Sequence, residues 1–104
     1  MPGLLSPPDG SRTGSLTPTF DWSDVLGAVG YQIQADLDPG FGSPEIDAET
    51  IAPASAFTPL TTLPSGWYDW RVRTRTICGY GSWSDPWQFQ VPWRVHLPLV
   101  VRNY

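Results

Sequence analysis

Proline placement constrains this chain more than any other feature. The prolines are Pro2, Pro7, Pro8, Pro18, Pro39, Pro44, Pro53, Pro59, Pro64, Pro86, Pro92 and Pro98. A proline has no N–H to give to a ladder, so within sheets it is confined to edges, strand starts and bulges. Two long windows are free of it, 19–38 and 65–85. Those windows are expected to hold the central strands, with edges and turns around them.

Side-chain periodicity agrees. No window carries an i, i+3, i+4, i+7 apolar stripe built from good helix formers, whereas several alternate with period two. Phe20 and Trp22 share one face of "TPTFDWS"; Tyr31, Ile33 and Ala35 alternate with Gln32, Gln34 and Asp36. Tyr68, Trp70, Val72 and Thr74 alternate with Trp67, Asp69, Arg71 and Arg73, and Trp87, Phe89 and Val91 with Gln88 and Gln90. Apolar-in, polar-out alternation belongs to antiparallel sheets with one solvated face. The segments "PPDGS", "SDVLGAVG", "LDPGFGSP", "LPSG" and "CGYGS" are turn signals between the runs. Seven strands follow, near 3–6, 17–22, 29–37, 44–50, 55–60, 67–77 and 86–91. The expected fold class is all-β, a seven-stranded, two-sheet antiparallel β-sandwich.

Composition bounds the function classes. A chain of 104 residues is long enough for one domain with its own core. Six tryptophans argue against disorder despite ten glycines and twelve prolines. The net charge is −4, from ten carboxylates and six arginines with no lysine, so nucleic acid and anionic membrane are unsuitable partners. No apolar run reaches the ~20 residues of a membrane span. The single Cys78 excludes an intrachain disulfide, and with the single His96 it leaves no basis for a cysteine or histidine metal site. The opening "MPGLLSPPDGS" lacks the basic and long apolar regions of a secretory leader. Met1 reads as an added start, with the natural chain expected to extend further.

The stretches "TPTFDW", "GAVGYQIQADLDPGF" and "LPSGWYDWRVRT…GSWSDPWQFQV" resemble a fibronectin type III domain of the kind found in bacterial extracellular proteins, over about residues 3–92. The resemblance rests on Trp22, Tyr31, Leu63, Pro64, Gly66, Tyr68, Val72 and Thr74. It implies an immunoglobulin-like sandwich for residues 1–92, an extracellular or cell-surface location, and a tyrosine corner at Tyr68, its hydroxyl bonded back to the nearby backbone. Position 74 is usually alanine in that family, so the Thr74 hydroxyl has to find a partner or face a gap. One fold hosts many functions; the expectation is a non-catalytic structural or interaction module with a protein or glycan partner.

Several side chains are candidates for contact. Arg71, Arg73 and Arg75 should line the solvent face of the sixth strand, and "GSWSD" should begin the neighbouring strand, setting Trp83 between guanidinium planes. This is similar to the arginine–tryptophan ladder beside the WSxWS motif of cytokine-receptor domains, although "SWSDPW" lacks the full pattern. Such a row either stiffens the sheet, the preferred reading, or meets an acidic partner or a glycan. Trp22, Trp70 and Trp87 fall on inward positions and read as core; Trp67 and Trp83 point outward and are the one plausible sugar-stacking pair. Tyr80 lies in a loop often used for recognition in fibronectin type III domains. Cys78 begins that loop and reads as a buried small hydrophobe. Asp36, Asp38, Asp47 and Glu49 lack calcium-loop spacing, and Asp before Pro-Gly is turn chemistry. No nucleophile has a base in a recognisable order, and no paired carboxylates suggest a cleft. Neither an enzyme nor a cofactor is expected.

Beyond Val91 the chain continues as "PWRVHLPLVVRNY". In this tail, residues 93–104, Trp93, Val95, Leu97, Leu99 and Val101 alternate as a strand would. An exposed strand of this kind is an aggregation hazard, so three destinations are open: an edge of its own domain, a strand added to another copy or another protein, or an address. The last rests on similarity to short LPLV(L/V)R tails of some secreted bacterial proteins.

Overall fold

The longest strands fall in the two proline-free windows. The computed structural model describes residues 2–92; the tail positions Trp93, Val95, Leu97, Leu99 and Val101 lie outside the described residues. β4 (Gly30–Asp36) and β7 (Gly66–Thr76) pair antiparallel along Gly30↔Arg75 to Asp36↔Asp69. β5 (Ile46–Ile51) flanks β4 and β9 (Trp87–Val91) flanks β7, both antiparallel. Two-residue strands complete this larger sheet: β2 (Ser11–Arg12) on the β9 edge, and β8 (Gly79–Tyr80) on β7. The smaller sheet has the order β1 (Leu4–Ser6), β3 (Phe20–Trp22), β6 (Ala56–Phe57). The described residues contain no helix, and none therefore long and apolar enough to cross a membrane.

The described residues are all-β with two sheets, as expected, but with nine strands rather than seven, and one pairing is parallel. Ser11 and Arg12 run parallel to Phe89 and Gln90. The extra strand arises because Pro7 and Pro8 cannot continue the β1 ladder. The chain turns there, Gly10 at a φ of 79° donates to Gln88 O at 2.7 Å, and Asp9 Oδ1 accepts from Gln88 N at 2.8 Å. The N-terminal segment thus passes from one sheet to the other. β8 is the return of a tight hairpin that pairs Thr76 with Gly79.

The sandwich-like core follows from the alternation. Phe20 and Trp22 face Trp70, Phe89 and Tyr31 across the two layers, with ring centroids 5.1, 5.4 and 5.6 Å apart and edge-to-face geometry. Ile33, Ala35, Val72 and Val91 fill the space between them. Buried aromatic hydroxyls are satisfied locally. Tyr31 Oη accepts from Val25 N at 2.9 Å, and Tyr68 Oη donates to Pro64 O at 2.6 Å. The second contact ties β7 to the turn that precedes it. Trp87 corrects the sequence reading: it is only partly buried, standing at the start of β9 with its ring perpendicular to that of Trp70.

Candidate functional site

The outer face of the larger sheet carries the most organised set of polar side chains. Period two sends Arg71, Arg73 and Arg75 to that face, and register decides what they meet. Gln34 lies opposite Arg71 and Gln32 opposite Arg73; on the other side of β4, Gln34 faces Asp47 and Gln32 faces Glu49. Arg71 donates from Nε and Nη2 to Gln34 Oε1 at 3.1 and 2.7 Å, and Arg73 Nε donates to Gln32 Oε1 at 2.8 Å. Each glutamine passes the contact on: Gln32 Nε2 donates to Asp47 Oδ1 at 2.7 Å and Gln34 Nε2 to Asp47 Oδ2 at 3.3 Å. One carboxylate thereby serves two arginines through two amides.

Aromatic rings fill the spaces between the guanidinium planes. Arg71 lies 4.0 Å from the Phe41 ring centroid and 4.1 Å from that of Trp83. Arg73 lies 4.5 Å from Trp83 and 3.8 Å from Tyr80. The order along the strand is Phe41, Arg71, Trp83, Arg73, Tyr80. Tyr80 Oη then donates to Glu49 Oε2 at 2.8 Å, and Arg75 Nε sits 3.5 Å from Glu49 Oε1. That last approach is a charge contact only, since this Nε–H has no hydrogen-bond partner. Arg75 is therefore outside the stack and closes it through Glu49. Burial and the charge of Arg73 lower the pKa of Arg71, with Asp47 opposing; the guanidinium remains charged. The Tyr80 pKa is raised, first by its bond to Glu49.

Two loops deliver the rings. The segment "GSWSD" does not begin a strand; β9 starts at Trp87. Pro86 cannot donate to the β7 ladder, which delays regular pairing. The segment is held beside β7 all the same, by Gly81 N–H to Thr74 O and Ser84 N–H to Val72 O, both 2.9 Å, and by Val72 N–H to Ser84 Oγ at 3.1 Å. Trp83 lies between these anchors, which sets its ring across the arginines. At the other end, Asp36 is 2% exposed and accepts from Asp38 N and Ser43 N, each at 3.0 Å. Burial raises its pKa, but the backbone bonds and Glu45 more than offset that, and the net shift is downward. The loop it organises holds Phe41 in the left-handed region, φ 55°, uncommon for a bulky residue, with the ring over Arg71.

The sequence reading set Trp83 between arginines, and the structure brings Arg71, Arg73, Trp83 and Tyr80 together. It did not find Phe41, Gln32, Gln34, Asp47 or Ser84 as members. The alternation of "YQIQ" against "RVRTR" was the available signal for the glutamines. The proposed stacking pair is not one: Trp83 is occupied by guanidinium groups, whereas Trp67 is 49% exposed on the same sheet face, opposite Gln90, whose Oε1 accepts from Arg12 Nε at 3.2 Å. Cys78 is a correction. It is exposed, because it and Ile77 form the tip of the β7–β8 hairpin instead of packing inward. Thr74 is buried, and its hydroxyl has no partner.

Asp36 and Asp38 cap their own loop, while Asp47 and Glu49 serve the ladder. Among the described residues no three histidine, cysteine or acidic side chains gather where a metal could be held. An open hollow of about 640 Å³ is lined by serine, threonine, proline and glycine with Arg12, and it carries no carboxylate or thiol. No protein-family model matches the chain, and no curated protein matches it.

Proposed function

We propose that this chain is a non-catalytic, fibronectin type III-like module of a larger secreted or surface protein, acting as a stiff spacer or presenting element. The observation that carries the reading is the commitment of the arginine row to its own chain. Arg71 and Arg73 give hydrogen bonds to Gln34 and Gln32 and stack on three rings, and Arg75 is neutralised by Glu49. Such a set stiffens a sheet face without a ligand. The Tyr68–Pro64 bond supports the fibronectin-like comparison, because it has the form of a tyrosine corner.

The test is an NMR titration following the arginine Nε–H and tryptophan indole signals while neutral oligosaccharides, acidic oligosaccharides and acidic peptides are added. Unmoved Arg71, Arg73 and Trp83 signals are expected. Saturable shifts there would replace the spacer reading with a binding one. Trp67 favours a second reading, carbohydrate binding, because its exposed indole lies beside Gln90 and Arg12 on an open sheet face. Shifts confined to the Trp67 indole with saccharides alone would support it.

A further inference from the structure

The outer edge of β5 offers unpaired backbone groups, and the tail sequence matches it in polarity and charge. Ala52 N–H donates to Val29 O at 3.1 Å. In an antiparallel ladder, directly opposed residues alternate between hydrogen-bonded and non-hydrogen-bonded pairs. With Val29 and Ala52 bonded, the register makes Thr50, Ala48 and Ile46 the residues that bond to β4. Asp47, Glu49 and Ile51 then direct their N–H and C=O groups away from the sheet. No described strand lies on that side. The outward side chains of the edge are Asp47, Glu49 and Ile51, and the inward ones are Ile46, Ala48 and Thr50, with Ile46 in the core.

The segment 93–104 has the complementary pattern. In its sequence Trp93, Val95 and Leu97 alternate with Arg94 and His96, and Pro98 follows. Aligned antiparallel to β5, Arg94 falls opposite Glu49 and His96 opposite Asp47. Trp93, Val95 and Leu97 then continue the inward face beside Thr50, Ala48 and Ile46, and Pro98 lies beyond the end of β5 where no ladder bond is needed.

Chain direction selects the source of this strand. Val91 pairs with Gly66 at the start of β7, the end of the sheet at which β5 begins. A tail bound to its own β5 would run parallel to it. It would first cross β7, β4 and β5, ~19 Å at ~4.8 Å per strand, which spends the residues carrying Arg94 and His96. The charge-matched antiparallel arrangement requires a second molecule. We infer that the β5 edge is the acceptor for the C-terminal segment of another copy of this chain, by strand addition. Donor and acceptor are different surfaces, so the contact builds either a reciprocal pair or an open array. The inference is independent of the spacer reading.

The test is molar mass by light scattering after size exclusion across a concentration series, for the full chain, for a chain ending at Pro92, and for the full chain carrying Arg94→Glu and His96→Glu. Hydrogen exchange of the Asp47, Glu49 and Ile51 amides is followed in the same samples. The expected result is a mass at least twice the monomer for the full chain only, falling on dilution, with those three amides exchanging about ten-fold more slowly than in the truncated form. Monomeric mass in all three overturns the inference, whether or not the amides are protected. So does assembly that survives truncation or the charge reversal, or assembly that leaves the three amides unprotected.

Discussion

Arg75 lies directly over Gly30. The two residues oppose each other in the β4–β7 register, and a Cβ on Gly30 would stand 2.7 Å from Nη2 of Arg75 and 2.5 Å from the backbone oxygen of Thr50. The arginine end can move, but the Thr50 carbonyl belongs to the neighbouring strand and cannot. Gly30→Ala is expected to cost about 1–3 kcal/mol, the usual range for overpacking. Removing the Arg75 side chain as well should not restore stability, because the carbonyl clash remains. Chemical denaturation of the single and double variants tests this; recovery in the double would place the conflict with Arg75 alone.

The Tyr68 hydroxyl is buried and donates to Pro64 O. Tyr68→Phe leaves that carbonyl without its partner at an expected cost of about 1–3 kcal/mol. The pH dependence has a definite sign. Burial, with the nearby charges of Glu45 and Asp36, raises the Tyr68 pKa, so the folded state favours the neutral phenol. Its contribution is complete below the unfolded value of about 10 and is lost as pH rises above it. Melting temperature should therefore fall more steeply above pH 10 in the parent than in Tyr68→Phe. Parallel curves would show that other groups govern alkaline unfolding.

These two sites differ in how far sequence alone could reach them. The Tyr68 bond was legible because a turn signal, "LPSG", precedes an inward tyrosine in an alternating run. The Gly30–Arg75 contact was not, because it depends on which strands are neighbours and in what register. The same holds for the ladder. Arg71, Arg73 and Trp83 were readable from spacing, but Gln32, Gln34 and Asp47 join only once β4 lies between β5 and β7. Phe41 enters through a loop ordered by Asp36, a long-range consequence of a buried carboxylate. Cys78 was misread because residue type was weighed above position, and a hairpin tip exposes whatever occupies it.

Asp36 makes the acid side of the stability curve specific. Burial alone would raise its pKa, yet the hydrogen bonds from Asp38, Ser43 and their neighbourhood hold it below the ordinary carboxylate value. The ionised form is favoured in the fold, so its contribution is present above the unfolded value of about 3.9 and is lost as pH falls through and below it. Asp36→Asn should lower the melting temperature at neutral pH and flatten its decline between pH 4 and pH 2. The variant should also loosen Phe41 from Arg71, read as a change in the Arg71 Nε–H chemical shift. An unchanged shift would mean that the loop keeps its form without the carboxylate.

Trp83 touches two guanidinium groups, so its removal tests the ladder as a unit. Cation–π contacts contribute about 0.5–1 kcal/mol each at exposed sites, which puts Trp83→Ala at about 1–2 kcal/mol. For a domain of this size each kcal/mol lowers the melting temperature by roughly 4–8 °C. Trp83→Phe should recover part of the loss by keeping a ring face. Arg71→Lys should not match wild type, because an ammonium lacks the planar fork that reaches Gln34 from two nitrogens. A melting temperature for Trp83→Ala equal to the parent would remove stiffening as the role of the stack.

Thr74 offers the opposite outcome, a gain. Its side chain is 6% exposed on the inner face of β7, and its hydroxyl has no hydrogen-bond partner. Burying an unpaired hydroxyl costs about 1–3 kcal/mol in proteins, and the backbone here is regular strand, where a β-branched residue is at ease. Thr74→Val keeps the shape and removes the unpaired group, so it should stabilise the fold by about 1 kcal/mol. Thr74→Ala should gain less, because the lost methyl leaves a gap against Val25, which lines the same hollow. Denaturation midpoints in the order Val, Ala, parent are expected. A Val variant less stable than the parent would mean that the hydroxyl has a partner in solution, such as an ordered water.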